Sequence, residues 1–283
     1  MRTRVIYNNR LIEARKARLQ PFTSAALYGR GVFTTLAIYQ GRPFLWPQHW
    51  TRLLEHAERT GVDSAGFDEE SVREALARLI EANEVENGRA RLTLYGSAAQ
   101  GVWELKDAVG AGKTELLIMT GEARVIGEEG LALTVSPYRI STLSPLAGLK
   151  SINYLPHILS WEEARERDFD EAVVLNERGE VVSATMANIF WVTDGAIHTP
   201  ALLTGALAGT TRARVIALCS ELSIPHVEGV YELSQLGDAD EIFLTSAGLG
   251  IAVVMTFDFH RYTVPVGSVA LRLREAFRQL TIS

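Results

Sequence analysis

Ser183-Ala-Thr-Met-Ala-Asn188-Ile-Phe190-Trp191, then Thr199, then Leu207-Ala-Gly209-Thr210-Thr211-Arg212, is the stretch on which the fold of this chain is decided. Its first part runs into an apolar strand over Asn188–Val192 with an amide among hydrophobic neighbours. A buried Asn must satisfy every donor and acceptor it carries, so Asn188 either ties down a loop or meets a ligand. The later part sets a glycine and two hydroxyl residues where a helix over Thr210–Leu222 begins. Backbone N–H groups, hydroxyls and the positive end of the helix dipole there suit a phosphate. The same residues also suit an ordinary Thr N-cap after a turn glycine. Both alternatives stand at this point.

Upstream, Lys150 stands out because lysine is scarce: of 28 basic residues only Lys16, Lys106, Lys113 and Lys150 are lysine. Lys16, Lys106 and Lys113 sit in polar surroundings and read as solvated. Lys150 ends the apolar run Leu143-Ser-Pro-Leu-Ala-Gly-Leu-Lys150. A desolvated amine has a lowered pKa and serves as a Schiff-base lysine. The other reading is a lysine that buries its stem and keeps its head in water.

Composition sets outer bounds. With 283 residues, 47% hydrophobic and 22% charged, the chain has the make-up of a soluble globular protein of one large or two modest domains. A net charge of −6, spread along the chain, offers no nucleic-acid surface. The opening MRTRVIYNNRLIEARKAR lacks an apolar core and is not read as a signal peptide, and no run is long enough for a membrane span. These features suggest a cytoplasmic protein. The single cysteine, Cys219, is expected to pack in a helix, and the six histidines show no metal-ligand spacing.

Periodicity divides the chain. Strands are expected at Arg4–Tyr7 and Arg10–Glu13 as a hairpin over Asn8-Asn9, then at Gly31–Tyr39, Arg89–Tyr95 and Thr114–Thr120. Helices follow the 3.6-residue pattern at Pro47–Thr60 and Ser71–Ala82, the latter after the acidic start Asp68-Glu69-Glu70. Residues 1–121 form a small N-terminal α/β domain, 122–130 a linker and 131–283 a larger domain. In the larger domain, strands are expected at Ala132–Tyr138, Glu171–Asn176, Asn188–Val192, Glu241–Thr245 and Ala252–Phe257. Helices are expected there at Tyr154–Arg167, Thr210–Leu222 and Val269–Leu280.

Taken in order, these segments resemble the class IV aminotransferases, pyridoxal-phosphate (PLP) enzymes of fold type IV. That family takes in branched-chain and D-amino acid aminotransferases and 4-amino-4-deoxychorismate lyases. Beside the opening stretch, the resemblance includes Gly31-Val-Phe33-Thr34-Thr35, His49-x-x-Arg52-Leu53, Lys150-x-x-Asn153-Tyr154 and Ala239-Asp-Glu-Ile-Phe-Leu-Thr245-Ser246, nearly the whole chain. It implies an α/β (α+β) two-domain enzyme with PLP in the interdomain cleft, acting on amino acids and 2-oxo acids as a homodimer. Lys150 would hold the cofactor as a Schiff base and move the proton at the substrate's α-carbon. Arg52, Gly209, Thr210, Thr211 and Ser246 would bind the phosphate, Tyr154 the phenolic oxygen, and Asn188 would line the same site. Arg30, Arg91 and Tyr95 are candidates for holding the substrate, against the alternative that the two arginines are surface charges.

Ser183 departs from the resemblance. The family has a glutamate there, facing the pyridine nitrogen and keeping it protonated; a serine hydroxyl can hydrogen-bond that nitrogen but brings no charge. The electron sink is then weaker, which disfavours transamination more than elimination. Thr34-Thr35 and Asn188-Ile-Phe190-Trp191 also look closer to the lyases. The expectation is a transaminase for a branched-chain or D-amino acid, with aminodeoxychorismate lyase as the alternative and a PLP-binding protein of vestigial activity as a third reading. Glu180 as a substitute carboxylate is disfavoured, since strand alternation turns it away from Ser183.

Overall fold

Asn8 and Asn9 both take left-handed backbone angles, φ 49° and 61°, the pair a two-residue hairpin turn of matching twist requires. They close β1 (Arg4–Tyr7) onto β2 (Arg10–Glu13), as the sequence led us to expect. A computed structural model describes residues 2–97, 114–124, 127 and 130–282. Lys106, Lys113 and residues 125, 126, 128 and 129 of the anticipated linker lie outside the described residues. The chain divides into two compact units, Met1–Ala123 with Leu149–Asn153, and Arg124–Gly148 with Tyr154–Ser283.

In the first unit, α1 (Ser24–Tyr28) precedes β3 (Gly31–Tyr39), β4 (Arg42–Pro43), α2 (Trp46–Arg59), α3 (Glu69–Ala82), β5 (Gly88–Gly96) and β6 (Thr114–Glu122). Six strands form one sheet in the order β2-β1-β6-β5-β3-β4. Alternation assigns its faces. Val32, Leu36, Leu92, Leu94, Leu116 and Ile118 join Trp50, Leu53, Leu76 and Leu79 of α2 and α3 in one buried core. Phe33, Thr35, Arg91, Thr93 and Tyr95 therefore point to the other face. Asp68 caps α3 by accepting the Ser71 N–H at 2.9 Å, with Glu69 and Glu70 in the first turn where the helix dipole favours them.

The second unit runs β7 (Leu131–Ile140), α4 (Leu155–Glu166), β8 (Glu171–Asn176), β9 (Val181–Ala184), β10 (Asn188–Thr193), β11 (Ala196–Pro200), α5 (Thr210–Glu221), β12 (His226–Gly229), α6 (Ser234–Gly237), β13 (Glu241–Ser246), β14 (Gly250–Phe257), β15 (His260–Arg261) and α7 (Val269–Ile282). Its nine-stranded sheet is ordered β12-β11-β10-β13-β14-β7-β8-β9, with β15 on β14. Cys219 is buried in α5, as expected. The sequence reading had left out β11, although Asp194-Gly195 (φ 51° and 74°) is a hairpin turn of the same kind as Asn8-Asn9. Among the described residues no helix is long and apolar enough to cross a membrane.

One assignment needs correcting. Lys150 had been placed with residues 131–283, but Leu149–Asn153 belongs to the first unit. The reason is backbone pairing: Phe33 N–H donates to Lys150 C=O at 2.8 Å, and Ile152 N–H to Gly31 C=O at 3.0 Å. These five residues lengthen the edge of β3, and Asn153 Nδ2 donates to Gly29 C=O at 2.7 Å. Gly29 (φ 67°) is needed twice over, since a Cβ there would also stand 2.2 Å from Asn153 Oδ1.

Candidate active site

Pairing against β3 sets the direction of Lys150. Ser151 lies opposite Val32, so Lys150 lies opposite Phe33 and shares its face. Its Nζ stands 4.6 Å from the centre of the Phe33 ring, and the Arg91 guanidinium stands 3.6 Å from the same centre. Arg91 reaches this point because Thr35 pairs with Arg91 and Phe33 with Thr93, one alternation apart on β5. It is therefore no stray surface charge. Burial, with Arg52 and Arg91 as further causes, lowers the Lys150 amine from its ordinary value to about 7. The charges acting on the lysine are thus cations, and neutrality is how it tolerates them.

The helix side of β3 carries a second set. Arg52 Nη2 donates to Thr34 Oγ1 at 2.9 Å, and Thr34 Oγ1 lies 2.7 Å from His49 Nδ1. Thr34 Oγ1 thus accepts from Arg52 and links that guanidinium to a His49 ring that is neutral. Burial, reinforced by Arg52 and Lys150, lowers His49 to about 3, in keeping with that neutral form. His56, one turn beyond Arg52, accepts the Lys150 backbone N–H on Nδ1 at 3.1 Å and is lowered to about 4 by burial, Arg52, Arg59 and Lys150. Arg52 itself is buried, where a solvated helix residue would otherwise have been read.

Farther along the Phe33 face, Tyr95 is buried and hydrogen-bonded with Glu115 and Tyr7; burial and Glu115 raise its hydroxyl well above the ordinary value. Arg30 accepts the Gly96 N–H on its carbonyl at 3.1 Å, beside Tyr95 on β5.

In the second unit, Asn188 is buried and its Nδ2 donates to Leu207 C=O at 2.9 Å, so the loop-tying alternative holds. That bond draws the loop so close that a Cβ on Gly209 would lie 2.1 Å from Asn188 Oδ1. Gly209 is the N-cap of α5 and supplies no side-chain cap, while Thr210 and Thr211 are its first two helical residues, both buried. Of the two alternatives, the N-cap itself therefore falls to a glycine and not to a threonine. Ser246 Oγ accepts the Leu249 N–H at 3.2 Å in the turn after β13. Ser183 pairs with Val174, with a register shift beside it. Glu180 is engaged with Arg178 and Asn176. Tyr154 begins α4 and stacks on His157 at 4.5 Å.

Phe33, Thr34, His49 and Thr245 entered the sequence reading as motif positions without a role in the site, and His56 only as one of the six histidines. Thr245 is buried, lies opposite Asn188 on β13, and its hydroxyl has no hydrogen-bond partner among the described residues. A signal existed for His56. His49, Arg52 and His56 recur at helical spacing on one face of α2 with Leu53, and testing histidine only for metal spacing passed over it.

The chain matches the model of the family described as amino-transferase class IV over residues 31–256. A Methanocaldococcus jannaschii protein assigned to the branched-chain-amino-acid aminotransferases is 31% identical over 285 residues, covering 98% of this chain and 96% of its own. The aminodeoxychorismate lyase of Bacillus subtilis is 31% identical over 250 residues, covering 87% and 84%. The crystal structure of the branched-chain aminotransferase of Thermoproteus uzoniensis with norvaline superposes with a TM-score of 0.90 at 27% identity, covering 100% and 95%. The fold is that of the type IV aminotransferase structures, and the cofactor is PLP. The residues fit that group within each unit: in the first, a lysine whose amine gives up its proton near pH 7, with the buried cation Arg52 nearby for an anion; in the second, a glycine-capped helix start and, on β13, the Thr245 hydroxyl, which has no hydrogen-bond partner among the described residues. With the family model covering most of the sequence and these residues in place, the chain belongs to the class IV aminotransferases.

Proposed function

We propose that this protein is a PLP-dependent transaminase for an α-amino acid and a 2-oxo acid, with Lys150 as its catalytic residue. Bound PLP supplies an aldehyde for the amine and a ring that withdraws electrons from the substrate's α-carbon. The observation that carries the reading is that the Lys150 amine and the Arg91 guanidinium stand over the same Phe33 ring. An amine lowered to about 7 is largely free base above neutrality, so Lys150 takes a proton from the α-carbon and returns one. Arg91 binds the substrate carboxylate, favoured over Arg30 and Tyr95 by its place beside the same ring as the lysine. Arg52, oriented through Thr34 and His49, binds the phosphate, as do Gly209, Thr210, Thr211 and Ser246. Tyr154 donates to the phenolic oxygen and Ser183 to the ring nitrogen, while Asn188 shapes the phosphate loop. A homodimer and a cytoplasmic location go with this reading.

Ser183 favours a second reading, aminodeoxychorismate lyase, because a neutral partner at the ring nitrogen leaves a weaker sink and an eliminated group drains the charge instead. A half-reaction separates the two. PLP-loaded protein is mixed singly with L- and D-amino acids and its visible band followed. Conversion to the pyridoxamine spectrum by an amino acid supports the transaminase and shows its hand. A band unmoved by the whole panel, with pyruvate released from aminodeoxychorismate, supports the lyase.

A further inference from the structure

We propose that His56 is the positioning residue for Lys150: its neutral imidazole, carrying its proton on Nε2, holds the lysine's backbone amide and with it the aim of the amine over Phe33. The inference rests on Lys150 carrying the cofactor. A backbone N–H can only donate, so the 3.1 Å bond from Lys150 N–H to His56 Nδ1 requires a lone pair on Nδ1. That assigns the tautomer. It also makes the bond conditional, because an imidazolium has no acceptor.

The surroundings keep the ring neutral. His56 is buried on α2, and the charges acting on it are Arg52 and Arg59 of its own helix and Lys150 of the facing segment, all positive. His49, on the same helix face, is neutral as well. Protonating His56 would turn an acceptor into a donor aimed at another donor and add a cation to the group.

The bond also acts at the right atom. Lys150 C=O is held by Phe33 N–H, and Ile152 N–H by Gly31 C=O, so β3 fixes the segment from one side. His56 takes the remaining amide of Lys150 from the helix side. With both backbone groups of one residue bound, its Cα–Cβ vector is set, and the amine follows.

Two substitutions separate positioning from packing. His56→Leu fills the space and has no acceptor; His56→Asn offers a carbonyl oxygen near the Nδ1 position and does not titrate. PLP retention, the pH titration of the visible band, and borohydride trapping followed by peptide mass spectrometry are measured on each full-length holoprotein. Nitrogen-15 shifts report the tautomer in the wild type. We expect an Nε2–H imidazole, a loss of PLP affinity of about tenfold in the Leu variant with a displaced titration midpoint, and recovery to within about threefold in the Asn variant. The Asn variant should also keep the band to lower pH than the wild type. A Leu variant that retains and titrates PLP like the wild type, or an Nδ1–H tautomer, overturns the proposal. So does failure of Asn to recover what Leu loses. If the variants do not fold, the wild-type tautomer decides. Trapping on a residue other than Lys150 in the wild type would sink the functional reading too, whereas trapping on Lys150 with an indifferent Leu variant removes only His56.

Discussion

At the residue scale, Lys150 is a base whose folded form resists protonation. Its folded pKa of about 7 lies below the ordinary 10.5, so the unfolded chain takes up the proton first as pH falls. The folded, cofactor-free protein therefore loses stability from about pH 11.5 down to about 7 and no more below that. Lys150→Met should remove this loss. Thermal melts of the cofactor-free proteins should show the variant gaining on wild type as pH falls from about 11 to 7, by at least about 1 kcal/mol after allowing for solvent screening. A constant difference across that range would mean that the amine is not desolvated. The scarcity of lysine and the apolar run before it pointed to this residue. That Arg52 and Arg91 both act on this amine did not show in the sequence, because they lie far from it along the chain.

At the element scale, the start of α5 depends on a missing side chain. Gly209 has φ −69°, an angle any residue adopts, so space and not strain demands glycine there. Gly209→Ala would set a methyl 2.1 Å from Asn188 Oδ1, and Asn188 cannot turn away without giving up its bond to Leu207 C=O. We expect a loss of about 1–3 kcal/mol in folding stability and a parallel loss of PLP affinity, measured by urea titration and by equilibrium dialysis. Unchanged stability would show that the loop yields. The Gly-Thr-Thr pattern was legible as an anion site or a cap, and the structure puts the cap on the glycine. The hairpin at Asp194-Gly195 and the turn capped by Thr23, α1, were passed over because strands and helices of four or five residues carry too few periods to stand out.

At the scale of the whole molecule, each unit has its own buried core, and Leu149–Asn153 returns the chain to the first of them. Because PLP binds the folded chain and not the unfolded one, about a hundredfold excess over its dissociation constant adds about 2.7 kcal/mol. For a protein of this size that is a melting shift of about 5 °C, which Lys150→Ala should diminish; an equal shift in both would separate binding from the lysine. The sequence by itself determined the elements whose hydrophobic period is long, such as β3, β5, α2, α3 and α5, and the ordered residues that mark the family. Periodicity is a local property and survives in one dimension. Only the tertiary structure decided that Lys150 is an edge residue of the first sheet, that Arg91 shares the Phe33 ring with it, and that His56 holds its amide. These are pairings across strands and helices distant in sequence, where register and alternation, not nearness along the chain, choose which side chains meet.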